Sequence, residues 1–226
     1  MDIERRAGRI VGVLFLVQML GSAAVNFGLE APLFGEPGFL VNAAPHAQQI
    51  GASAVLGLIL GAIFTAVAIS VFPIVRARSQ ALALWLLVLG AVGLTLAVVE
   101  QASVMSMVSL SRAYTDAAAG ARDQFQALRV VVASARNWVH FLARVFDGIS
   151  LFVFYIALFR LTLVPRALAT LGVVTSLLQI TGVGMPLFGH AVMFPLLAPM
   201  GLAQLVLTAW LFTKGFDCHA DARSTT

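Results

Sequence analysis

Six stretches of this chain are apolar for long enough to cross a bilayer, and no soluble fold accommodates six such stretches in 226 residues. They fall near residues 10–29, 52–75, 81–107, 138–159, 166–187 and 192–213. Each approaches the ~20 residues that a helix needs to cross about 30 Å of hydrocarbon. Backbone polar groups find no water in hydrocarbon, so runs of this length are read as helices that bond internally. The expected fold class is an all-α integral membrane protein, a six-transmembrane-helix bundle forming a single membrane domain over residues 1–226 with a short polar tail at 214–226. Composition agrees: 60% of residues are hydrophobic and only 11% are charged, against about a quarter in soluble domains.

Arginine placement sets a direction. Arg5, Arg6 and Arg9 precede the first span, Arg76 and Arg78 separate the second from the third, and Arg160 and Arg166 separate the fourth from the fifth; Lys214 follows the sixth. All fall on one side of a six-span arrangement, which predicts that both termini are cytoplasmic. The connection from Ser111 to Arg136 counts against this, because it puts Arg112, Arg122, Arg129 and Arg136 outside, partly offset by Asp116 and Asp123. Its Phe125, Leu128 and Val132 recur at helical spacing, as in a solvated helix, an interfacial helix or an extension of span four. The first apolar run continues through Ala24, Val25 and Phe27 to Leu29, which favours a retained span over a cleaved signal peptide. Net charge is +4, and cytoplasmic anchoring accounts for it without a nucleic-acid partner. The single cysteine, Cys218, permits no disulfide framework within the chain and no thiolate metal cluster.

Within span four, His140, Arg144 and Asp147 follow one another at steps of four and three, so they share one helical face. An ionised side chain near the bilayer centre costs roughly 2.5–3.5 kcal/mol on insertion scales. Groups inside the protein must therefore answer them. Span one aligns Gln18, Ser22 and Asn26, and span three aligns Gly90, Gly93, Ala97 and Glu100. Small residues permit close helix approach, which places Glu100 on the packed side of its helix. Gln179 aligns with Gly172 and Ser176 in span five, and Gln204 with Thr208 in span six. Depth counted from the arginines puts Glu100, His140, Arg144 and Asp147 in the outer half. The expected site is a polar pocket lined by Gln18, Asn26, Glu100, His140, Arg144, Asp147 and Gln179, with Gln204 at its floor.

Each residue also has a structural explanation. Arg144 with Asp147 or Glu100 would fix helix register without any chemistry. Glu100 could snorkel to the outer interface, and His140 beside Trp138 fits an interfacial hydrogen bond. His46 and His190 read as loop or rim residues. No His-x-x-x-His or Glu-x-x-His pair occurs, so no metal or other cofactor is expected. Ser53, Gly57, Gly61 and Thr65 line one face of span two; this is a common packing pattern and a candidate surface for homo-oligomers.

Two stretches, Arg6-Ala-Gly-Arg-Ile-Val-Gly-Val-Leu-Phe-Leu16 and Leu202-Ala-Gln-Leu-Val-Leu-Thr-Ala-Trp-Leu-Phe-Thr-Lys-Gly215, resemble a bacterial integral-membrane family known as domain of unknown function 4386. The turn Pro165-Arg-Ala-Leu-Ala-Thr-Leu-Gly172 is similar to that family's as well. The resemblance implies six helices in a bacterial inner membrane and no particular activity. Where the family often carries a carboxylate this chain has Gln204, which argues against a proton-carrying role there.

Three functions follow as expectations. The leading one is a binding or regulatory protein whose outer-half pocket takes a small amphipathic or lipid-like molecule alongside the surrounding membrane lipids. An intramembrane enzyme on a lipid or isoprenoid would use Glu100 or Asp147 as proton donor, His140 as shuttle and Arg144 to tune the acid. A small-solute transporter would use the opposed three-span halves.

Overall fold

A computed structural model of the protein describes residues 3–118 and 122–216; Cys218 and most of the polar tail lie outside them. The described residues form helices and turns, with no strand among them. Six helical segments are long and apolar enough to cross a membrane, Glu4–Leu29, Ala47–Arg78, Gln80–Asp116, Arg122–Arg160, Arg166–Phe188 and Phe194–Thr213. This is the build of a multi-pass membrane protein.

Helix α1 (Ile3–Ala24) runs into a π-helical turn, Val25–Leu29. Two short helices follow, α2 (Ala31–Phe34) and α3 (Phe39–Asn42), and then α4 (Ala47–Arg78), α5 (Gln80–Asp116) and α6 (Arg122–Arg160). Helix α7 (Arg166–Gly184) leads through 3₁₀ turns at Met185–Phe188 and Phe194–Leu196 into α8 (Ala198–Thr213).

Four of these helices, α1 with its π-helical turn, α4, α5 and α6, are longer than their apolar cores. Hydropathy marks 138–159, yet α6 has 39 residues, ~58 Å at 1.5 Å per residue. Of the three readings of the Ser111–Arg136 connection, its second half therefore takes the one in which span four is extended. Polar residues do not end a helix unless a cap or proline intervenes, and Arg122 to Asn137 offers neither Gly nor Pro.

The chain gathers into two compact units. The central unit comprises Met19–Gly61 and Leu94–Ala143. Its apolar core is built from Leu33, Phe39, Leu40, Ala43, Ile50, Val104, Met107 and Val108, flanked by Tyr114, Phe125, Val132 and Ala133. Phe125 and Val132 thus face inward as their spacing predicts, while Leu128 is exposed. The connecting segment between α2 and α4 is tied down by Ser111, whose hydroxyl donates to the Leu40 carbonyl and accepts from the Ala44 amide, both at 2.8 Å. Gly38 opens α3 at φ 110°, a conformation that a side chain would strain.

In the same unit α4 and α5 lie close and antiparallel: Gly57 abuts the Gln101 side chain, and one turn later Gly61 abuts Ala97. Ser53 is fully buried. The face singled out for self-association is thus engaged within the chain itself, where the absence of a Cβ at Gly57 and Gly61 admits α5.

The terminal unit takes in the described residues of Met1–Gln18, Ala62–Gly93 and Arg144–Thr226. Phe154 meets Phe15 and Phe64 edge to face, with ring centroids 5.6 and 6.4 Å away. The neighbouring Tyr155 is fully buried and lies directly on Gly172, where any side chain would occupy its ring position. The α6–α7 turn closes with Arg78 donating to the Leu161 carbonyl.

Candidate functional site

Two acid–base contacts are stacked along α6 in the central unit. Arg136 and His140 are four residues apart, so they lie on one face about 6 Å apart along the axis. Each meets an acid from a different segment. Arg136 Nη2 is 2.9 Å from Glu30 Oε2, and His140 Nδ1 is 2.6 Å from Glu100 Oε1 on α5.

The first contact is sealed. Glu30, Arg136 and Ser53 are 2%, 5% and 0% exposed. Ser53 Oγ on α4 donates to Glu30 Oε1 at 3.1 Å, so both carboxylate oxygens are engaged. The Arg136 guanidinium also stands 4.9 Å from the Phe34 ring centroid, a cation–π arrangement. Its Nε is buried without a hydrogen-bond partner.

Local structure explains where Glu30 sits. Its amide donates to the Val25 carbonyl at 2.9 Å, the five-residue bond that closes the π-helical turn. Such turns are frequent at functional sites because they re-aim the residue that follows. Gln49 on α4 donates to the Gly28 and Leu29 carbonyls, which hold the end of that turn. Asn26, within the same π-helical turn, is exposed and donates to the Ser22 carbonyl, four residues back, at 2.8 Å.

The second contact is more open. Glu100 is 6% exposed, so it lies inside its unit as its small-residue face predicts, and not snorkelled to a surface. The His140 side chain retains 24% exposure. Phe141 flanks the imidazole at 5.9 Å between ring centroids, and Trp138 in turn flanks Phe141. Gln101, adjoining Glu100 in sequence, is also buried.

In the terminal unit the stripe continues differently. Arg144 Nη1 pairs with Asp147 Oδ2 at 3.0 Å within α6 itself, and the two side chains are 34% and 41% exposed. Gln18, Gln179 and Gln204 belong to this unit and are half-buried. Among the eight expected site residues, Glu100 meets His140 and Arg144 meets Asp147. Among the described residues no group of three or more His, Cys, Asp or Glu side chains could hold a metal ion.

Sequence reasoning missed Glu30, Ser53 and Arg136 as site residues. A signal was present: Arg136 is one turn before His140 on the same stripe, just outside the apolar window. Glu30 carried none, since its orientation depends on the π-helical turn.

The fold and these contacts define a multi-pass membrane protein with a buried acid–base ladder on one helix. The chain belongs to the family described as a domain of unknown function (DUF4386), which matches residues 10–215, nearly its whole length. No curated protein and no solved structure matches it.

Proposed function

We propose that this is a binding protein of the bacterial cytoplasmic membrane, oriented with both termini in the cytoplasm, that holds the polar group of a small amphipathic or lipid-like molecule at the Glu100–His140 step. The observation carrying this reading is the pair itself: a buried carboxylate 2.6 Å from an imidazole that keeps a quarter of its side chain exposed. Glu100 engages Nδ1, which leaves Nε2 as the ring atom to meet a ligand hydroxyl or carbonyl. Phe141 and Trp138 beside it supply apolar surface for the rest of the molecule. The orientation also gains support. Arg136 was one of four arginines that counted against it, and a side chain buried on Glu30 is not a loop charge of the kind that sets topology.

Purification of the full chain in lipid nanodiscs, followed by native mass spectrometry, tests the reading. A small amphipathic adduct is expected on the wild type, and its occupancy should fall at least tenfold in His140→Leu and Glu100→Gln. Equal occupancy in all three overturns the assignment.

The short Glu100–His140 contact favours a second reading, an intramembrane enzyme that moves a proton on a lipid or isoprenoid substrate. Conversion of such a substrate by the wild type and not by Glu100→Gln, followed by chromatography and mass spectrometry, would replace the binding assignment with a catalytic one.

A further inference from the structure

We infer that the start of α1 is a separate binding site for one anionic phospholipid, with the phosphodiester held by Arg6 and Arg9 and an acyl segment lying along Ile10, Val13 and Leu14. These five residues line a shallow groove of about 270 Å³. All come from one helix within one unit. Steps of three and four residues link Arg6 to Arg9 and Ile10, Arg9 to Val13, and Ile10 to Val13 and Leu14, which puts them on one side of the helix. Along that face two cations are followed by three aliphatic side chains, the same order as a lipid's head and tail.

Charge complementarity selects the ligand class. Both arginines are exposed, and a guanidinium matches phosphate oxygens in a two-pronged geometry. A zwitterionic headgroup brings its own cation and gains less from two guanidinium groups than an anionic one does. Among the described residues, the acid nearest to Arg6 in sequence is Glu4, two residues away, a spacing at which helical side chains do not face each other. The apolar floor, with Ile10 41% and Val13 48% exposed, holds hydrocarbon. At this size the groove takes part of one chain, since whole small-molecule sites run from about 300 Å³ upward. None of the residues belongs to the Glu100–His140 site, so either assignment stands without the other.

The full chain in nanodiscs containing equal phosphatidylglycerol and phosphatidylethanolamine provides the test, read by native mass spectrometry of retained lipid. The wild type should enrich phosphatidylglycerol at least threefold. Enrichment should vanish in Arg6→Gln/Arg9→Gln and persist in Arg122→Gln/Arg129→Gln. Val13→Trp keeps both charges and fills the groove, so it too should lose the retained lipid. A wild type without enrichment, or enrichment that survives either the double arginine change or Val13→Trp, overturns the site. A tenfold excess of inorganic phosphate should leave the lipid bound, and displacement by phosphate would overturn the choice of a lipid.

Discussion

Helix α6 carries the same chemistry in two settings, and the contrast separates architecture from candidate function. In the central unit Arg136 and His140 reach acids on other segments, Glu30 106 residues away in sequence and Glu100 40 residues away. In the terminal unit Arg144 meets Asp147, three residues along its own helix. A contact between distant segments constrains tertiary structure, whereas an i,i+3 contact stabilises the helix that already exists. Burial sharpens the difference: Glu30 and Arg136 are enclosed, while Arg144 and Asp147 are each more than a third exposed. His140 lies between these extremes, anchored by a buried acid yet accessible.

The largest expected effect is at the sealed contact. Arg136→Ala leaves Glu30 buried with Ser53 alone, and removing one partner of a buried pair costs about 3–5 kcal/mol. A marked drop in thermal midpoint in detergent is expected. Glu30→Gln/Arg136→Met removes both charges and should recover most of the loss, because two neutral side chains carry no desolvation penalty. If the double change is as unstable as Arg136→Ala, the contact is not held by charge pairing, and the contrast with Arg144 loses its basis.

Steric fit comes next. Gly61→Val would drive a branched side chain into Ala97, and overpacking of this kind costs about 1–3 kcal/mol. The pairing of α4 with α5 should loosen, read as faster hydrogen exchange around Ala97 and Glu100. If exchange there is unchanged, the α4–α5 approach does not hold Glu100 in place. Glu100→Gln is expected to cost about 1–3 kcal/mol, as for a buried hydrogen bond left poorly matched. It should also abolish ligand occupancy, which changes at Arg144 and Asp147 are expected to leave in place.

The fold was legible in the sequence because membrane-length apolar runs have few alternatives. Six segments were expected and six are found among the described residues, with helix ends displaced outward at α1, α4, α5 and α6. Those displacements have one cause: hydropathy registers where lipid can touch a helix, and a helix continues beyond that. The site was legible only where it followed helical periodicity. Glu100 was placed inward by Gly93 and Ala97, and it is buried. Arg136 lay one turn beyond the apolar window and was counted as a loop charge. Glu30 could not be placed at all, since the π-helical turn that aims it leaves no periodic trace in Val-Asn-Phe-Gly-Leu.

The smallest effect is predicted where the sequence looked most costly. Arg144 and Asp147, considered as lone ions in hydrocarbon, are the most expensive residues of span four. Paired at 3.0 Å at an i,i+3 step, they offset each other's charge along one helix. Arg144→Gln/Asp147→Asn should therefore shift the thermal midpoint little and leave occupancy at His140 within twofold of wild type. A loss of occupancy comparable to Glu100→Gln would mean that charge in the terminal unit acts on the ligand after all. It would extend the functional stripe from Arg136 through His140 to Asp147, and the division between a working upper stretch and a structural lower one would have to be withdrawn.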